Sequence, residues 1–205
     1  MSKTAIIIDT DPGQDDAVAI LTALGSAQLE VVGISVVAGN VPLALTTKNA
    51  RIICEWAGRP EVPVYAGCER PLLRPLVTAE HVHGRTGLDG VPLHEPAMLL
   101  QPEHAVDFII RTLREREAGS VTLCMLGPLT NLAMAIVRAP DIVGRIREIV
   151  LMGGAYFEGG NITPSAEFNI YVDPDAAATV LACGAAITML PLDVTHKATA
   201  SPARI

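Results

Sequence analysis

Residues 5–25, AIIIDTDPGQDDAVAILTALG, read as a strand, a loop and a helix in one run. Residues 5–8 are apolar and mostly β-branched, the composition of a strand buried on both faces. Asp9 interrupts them. Ala17, Ile20, Leu21 and Leu24 then recur at helical spacing, and Gly25 follows as a stop signal. A strand leading straight into a helix is the first half of a βαβ unit, and the rest of the chain repeats the alternation. Residues 31–37 form a second β-branched run. Leu45, Ile52, Ile53 and Trp56 are expected on one helical face, closed by Gly58. Residues 62–65 form a weaker strand. Val106, Ile109, Ile110 and Leu113 mark a helix, and residues 121–125 a strand. Leu129, Leu132, Ala133 and Ile136 share a face, with Pro128 placed at the first helical turn. Residues 149–152 are a strand, Asp173 caps and Pro174 starts a short helix ended by Gly184, and residues 187–192 are the last strand. The fold class expected is α/β: an open, mostly parallel sheet with helices on both faces, in a single domain spanning 1–205.

Composition agrees. Half of the 205 residues are hydrophobic and only 18% are charged, so a sizeable core is available. The net charge of −7 argues against a nucleic-acid or anionic-membrane surface, which needs clustered Lys and Arg. No apolar run approaches the ~20 residues of a membrane span, and Asp9 ends the first one before a signal peptide can form. Cys54, Cys68, Cys124 and Cys183 are scattered without metal-ligand spacing, which suits reduced thiols in the cytoplasm. Two stretches, 67–102 and 153–169, lack sustained periodicity and are too long for ordinary connections, so they are expected to be functional. No helix is expected after the last strand, which leaves its apolar surface uncovered. The fold is therefore expected to be incomplete at its C-terminal end, or to need a partner.

In open α/β sheets, sites form beyond the carboxyl ends of the strands. Four carboxylates, Asp9, Asp11, Asp15 and Asp16, follow the first strand within eight residues. Gly39 and Asn40 follow the second strand, Leu126 to Asn131 another, and Asn161, Glu167 and Asn169 come after the Gly153-Gly154 pair. Acids at a helix start complement its dipole and cap it, which accounts for one or two aspartates. Four are too many, because close like charges repel and raise one another's pKa. A hard divalent cation such as Ca²⁺ relieves the repulsion and accepts carboxylate and carbonyl oxygens. An EF-hand is excluded, because Gln14 stands where its loop needs Gly and Ile20 where it needs Glu. A Mg²⁺ phosphatase of the Asp-x-Asp kind remains a rival, although only Lys197 offers itself as the basic residue such chemistry needs.

DTDPGQDDAVAIL resembles the N-terminal signature of the inosine-uridine preferring nucleoside hydrolases. VAGN at 37–40, TTKNA at 46–50, HVHGRTGLDG at 81–90, LGPLTNLAMAI at 126–136, MGGAYFEGGNITPSAEFNIYVDPDAA at 152–177 and LDVTHKA at 192–198 agree in order. The resemblance implies cleavage of the N-glycosidic bond of ribonucleosides such as inosine or uridine, giving ribose and free base. It implies a calcium ion that binds the nucleophilic water and the ribose hydroxyls. Carried onto this chain, it makes Asp11, Asp16 and the Leu126 carbonyl calcium ligands, Asp11 also the general base, and Asp9 a supporting acid. Asp15 and Asn40 match ribose-binding positions, and Asn161, Glu167 and Asn169 match the group around the 5′-hydroxyl. His83 matches an imidazole near the base and is the candidate proton donor. The resemblance also implies a homodimer or homotetramer. Members of the family continue for roughly another third, which carries a further calcium aspartate and a histidine that protonates the base. This sequence is expected to lack that portion.

For several of these residues a plainer role competes. Asp15 could cap its helix. Asn40 and Asn161 could be turn residues tolerating a left-handed backbone. His83 could be a loop histidine without chemistry, Asn131 a helix cap or brace, and Met152 core packing instead of base-pocket lining. A module that binds nucleoside or ribose without cleaving it is the other alternative.

Overall fold

The computed structural model describes residues 3–199. Strand β1 (Thr4–Thr10) leads into helix α1 (Gln14–Gly25), β2 (Leu29–Val36) into α2 (Leu43–Trp56), and β3 (Val64–Ala66) into a long connection carrying one turn of helix, α3 (Glu80–His83). Then come α4 (Ala105–Glu115), β4 (Val121–Met125), α5 (Thr130–Arg138), a 3-10 turn (Pro140–Arg145), β5 (Ile146–Met152), α6 (Phe168–Val172), α7 (Pro174–Leu181), β6 (Ile187–Leu190) and the short α8 (Leu192–Thr195). The strands form one sheet in the order β3-β2-β1-β4-β5-β6, and every pairing is parallel. The expected α/β class is therefore what forms.

Alternation along the strands explains the two layers. In β1, Ile6 and Ile8 join Ile34, Val36 and Val64 against Ile20 and Leu24 of α1 and Ile53 of α2. Ala5 and Ile7 face the other way, with Leu123, Met125, Ile149 and Leu151, against α4, α5 and α7. Each such aliphatic side chain contributes about 1.5–3 kcal/mol when fully buried. Gly33 lies where the β1–β2 register slips. A Cβ there would meet Phe108 Cζ at 2.6 Å. The bare backbone lets the Phe108 ring lie close, stacked on Tyr65 with centroids 3.9 Å apart.

Several local expectations shift. Trp56 is 41% exposed, and Ala50 and Cys54 complete the buried face of α2 instead. Pro128 precedes α5 without belonging to its first turn, since Leu129 is the capping residue. The last strand ends at Leu190, because Pro191 stops it and Leu192 begins α8. A helical turn thus does follow the last strand, although Met189 stays 37% exposed. Asp173 does cap α7, accepting from the Ala176 N–H, with Pro174 in the first turn. All four cysteines are free thiols, and burial pushes Cys54 and Cys68 up to about 12. Among the described residues, no helix is long and apolar enough to cross a membrane.

Candidate active site

The strand order places the site. The chain runs outward from β1 through β2 to β3, then returns to β4 beside β1 and runs outward the other way. The crevice at the carboxyl ends of β1 and β4 is the switch point where such sheets bind ligands. DTDPGQDD leaves β1 there, and LGPLTN leaves β4.

Three of the four acids in the first segment are buried. Asp9 and Asp11 are completely inaccessible and Asp16 nearly so. Among the described residues, no Lys, Arg or His nitrogen lies within 4.0 Å of their oxygens. Burial pushes Asp9 and Asp16 up to about 7, and the Asp15 charge adds to the rise at Asp16. Asp11 is raised well above the carboxylate range by burial first and by the Asp16 charge second.

Hydrogen bonds aim these carboxylates. Asp16 accepts from the Thr10 hydroxyl at 2.7 Å and from the Gly13 N–H at 3.0 Å, so it caps α1 as well as facing the cavity. Asp11 accepts from the Asn40 N–H at 2.7 Å on Oδ2, while its Oδ1 has no partner. Asn40 Nδ2 donates to the Asp11 carbonyl. Its backbone is not left-handed, so the turn role does not apply. Asp9 accepts from Ser35 and Asn131 on one oxygen and leaves the other unpartnered. Asn131 is a brace and not a cap. Its amide also donates to the Val36 carbonyl and accepts from the Cys68 N–H, joining the ends of three strands.

The second irregular stretch brings the amides. Glu167 caps α6 by accepting from the N–H groups of Asn169 and Ile170, and it also accepts from the Gly154 N–H. Burial raises its carboxyl. Asn161 Oδ1 accepts from the Phe168 N–H, and Asn169 Nδ2 donates to the carbonyls of Leu126 and Met152. These groups line a cavity of about 340 Å³, inside the range of small-ligand pockets. Asp15, Asp16, Asn40 and His83 line one side, and Leu126, Met152, Asn161, Glu167 and Asn169 the other. Asp11 is fully buried and does not line the cavity, although its carbonyl and Oδ2 bond to Asn40, which does. Asp15 points outward, its side chain 80% exposed, and caps nothing. Asp15, Asp16, Asn40, His83, Leu126, Asn161, Glu167 and Asn169 thus share one cavity, while Asp11 is buried and not part of its lining. Ser35 and Thr10 escape a reading by sequence, because small polar residues carry no periodic signal, and nothing local marks Gln14 as a contact.

The donor set suits a hard cation. Among the described residues, no group of three or more His, Cys, Asp or Glu side chains could by itself hold a metal ion. The candidate ligands are instead two carboxylates and a backbone carbonyl, oxygen donors of the kind Ca²⁺ takes. The unpartnered Asp11 Oδ1 and the uncompensated negative charge are what such an ion satisfies. Two glycines keep the space open. A Cβ on Gly39 would lie 2.1 Å from Asp11 Oδ2, and one on Gly127 2.4 Å from Asp11 Oδ1. Gly127→Ala is expected to lower unfolding stability by about 1–3 kcal/mol. Gly144→Ala, where a Cβ meets nothing within 4 Å, should be near neutral. Urea denaturation of both variants checks this, and equal midpoints would contradict the close approach.

A buried acidic cluster lies at the switch point of this parallel sheet, beside a cavity lined in part by asparagine amides, and comparison places the chain in a family. A model of the inosine-uridine preferring nucleoside hydrolases matches residues 6–205, and the chain belongs to that family. An uncharacterised Schizosaccharomyces pombe protein is 54% identical over 200 residues, covering 98% of this chain and 64% of its own length. The inosine-uridine preferring nucleoside hydrolase of Crithidia fasciculata is 46% identical over 200 residues, covering 96% of this chain and 62% of its own. The solved plant nucleoside hydrolase PpNRh1 superposes with a TM-score of 0.91 at 39% identity, over 95% of this chain and 61% of that one. The chain therefore spans less than two thirds of the length of these relatives.

Proposed function

We propose that the site hydrolyses the N-glycosidic bond of a ribonucleoside, giving ribose and the free base. The observation that carries this reading is the set of three buried carboxylates without a basic partner, one of which, Asp16, lines a cavity together with Asn40, Asn161, Glu167 and Asn169. Asp11, Asp16 and the Leu126 carbonyl are the groups that would hold Ca²⁺. When bound, the ion acidifies water and orients sugar hydroxyls.

The chain's own residues divide the remaining work. Asp11 takes the proton of the water that attacks the anomeric carbon, which requires its ionised form; an adjacent cation favours that form. Asp15 and Asn40 reach the ribose hydroxyls from the rim, and Asn161, Glu167 and Asn169 hold the 5′-hydroxyl end. Cleavage passes through an oxocarbenium-like state whose positive charge the surrounding carboxylates and amide oxygens stabilise. His83 lies at the base end. The free thiols and the absence of a membrane-length helix among the described residues suit a cytoplasmic enzyme.

The test is incubation of the purified chain with inosine, uridine and a nitrophenyl riboside, with chelator and with calcium. The nitrophenyl leaving group needs no proton. Chelator-sensitive release of nitrophenol, restored by calcium, is expected. No release from any riboside, with no calcium retained, overturns the reading. Riboside binding without release would favour a binding module.

A further inference from the structure

The segment that follows α3 returns over the start of α1, and one side chain holds it there. Gln14, the first residue of α1, has both ends of its amide engaged. Its Nε2 donates to the carbonyls of His83 at 3.2 Å and Asp89 at 3.3 Å, and its Oε1 lies 2.6 Å from His83 Nδ1. Carbonyl oxygens only accept, so the amide NH₂ must face them and the amide oxygen must face the imidazole. That oxygen also only accepts, so His83 Nδ1 must carry the proton. A neutral imidazole has one N–H, which leaves Nε2 as a lone pair.

The surroundings are built for this contact. A Cβ on Gly13 would lie 2.6 Å from His83 Nδ1, so only glycine lets the ring seat there. Asp89 folds its own loop by accepting from the N–H groups of Arg85 and Thr86, both at 3.1 Å. His83 lines the cavity, and no hydrogen bond to its Nε2 occurs among the described residues. Asp15 Oδ1, 4.0 Å from Nδ1, is too distant to compete with Gln14 for the proton.

We propose that Gln14 is a positioning residue that clamps the 83–89 segment onto α1 and fixes His83 as its Nδ1–H tautomer. The imidazole then offers Nε2 to the cavity as an acceptor for an N–H or O–H group of the ligand. The ligand's identity as a nucleoside rests on the function proposed above; the tautomer does not. Neutral His83 in this state recognises a donor and has no proton on Nε2 to give to a leaving base. Burial, which holds its pKa below the ordinary value, works in the same direction.

The experiment is long-range proton–nitrogen correlation NMR on the full chain carrying ring-¹⁵N histidine, recorded above the pH of imidazole titration. The His83 signals are those absent from His83→Gln. Wild type should show Nδ1 protonated. Gln14→Leu should shift His83 towards Nε2–H, and Gln14→Glu, whose carboxylate also accepts, should restore Nδ1–H. Protonation at Nε2 in wild type, or Nδ1–H surviving in Gln14→Leu, overturns the clamp. A merely structural role for Gln14 would not move the tautomer between two folded variants. Inosine at saturation should move the Nε2 resonance while leaving the proton on Nδ1. A resonance unmoved by bound inosine overturns the acceptor role, whereas no inosine binding at all counts against the nucleoside reading and leaves the tautomer result standing.

Discussion

In chelator, the unfolding free energy is expected to fall as pH rises from about 4 to about 7, the reverse of ordinary acid denaturation. Asp9 and Asp16 move from an ordinary 3.8 to about 7 on folding. The folded state therefore binds more protons than the unfolded state across that window, and the slope of stability with pH is negative there. Each acid contributes stability that is complete below its unfolded value and is lost as pH climbs through its folded value. A displacement of this size corresponds to on the order of 4 kcal/mol for each. Against a total of about 5–15 kcal/mol, two such groups dominate the profile. Asp11 and Glu167, both raised by burial, act in the same sense. The acids held below their ordinary values, such as Asp141 beside Arg114, are on the surface and lose their contribution only at lower pH. His83 opposes the trend, since its pKa is lowered, but it is one half-buried ring. Urea denaturation at pH 4.5, 6 and 7.5, with chelator and with calcium, measures the slope. Calcium should flatten it by binding the ionised acids of the folded state. A midpoint that rises with pH in chelator would contradict the buried, uncompensated acids.

Asp11→Asn should separate stability from activity. The amide oxygen still accepts from the Asn40 N–H, as Oδ2 does now at 2.7 Å. The NH₂ replaces the unpartnered Oδ1 beside Gly127, exchanging a carboxyl that burial holds against ionisation for a permanently neutral dipole. In chelator the variant should gain stability towards neutral pH, because an amide cannot ionise and escapes the cost that burial places on the Asp11 carboxylate. Removing a general base should cost roughly 10²- to 10⁴-fold in riboside cleavage. Thermal unfolding and the nitrophenyl assay on one preparation provide both readings. Loss of stability in chelator would mean that the ionised carboxylate is already compensated within the fold. Opposite signs in the two assays are the mark of strain kept for function.

Much of the layout could be read residue by residue. The β-branched runs at 5–8 and 121–125 became strands because alternating apolar side chains have two layers to fill. Asp173 and Pro174 opened a helix because capping is decided within four residues. Position 56 misled, since a periodic apolar residue at a helix end escapes burial when the smaller Ala50 and Cys54 already fill the face. Local context leaves Asn131 open between a helix cap and a brace. Its partners, Asp9, Val36 and Cys68, are brought to it only by sheet pairing between distant segments. Gln14 spoke only against an EF-hand loop, for its partners in the 83–89 segment arrive through a loop without periodicity.

The amino-acid order alone determined the alternation of strands and helices, the acid-rich turn after the first strand and the chemistry of its side chains, because these depend on near neighbours and on residue type. Strand order, the burial of Asp9, Asp11 and Asp16 at the β1–β4 crevice, and the His83 tautomer were decided only by the tertiary structure. Each requires groups remote in the chain to meet, and the low-dielectric surroundings that turn ordinary aspartates into raised-pKa acids exist only once those groups have closed over them.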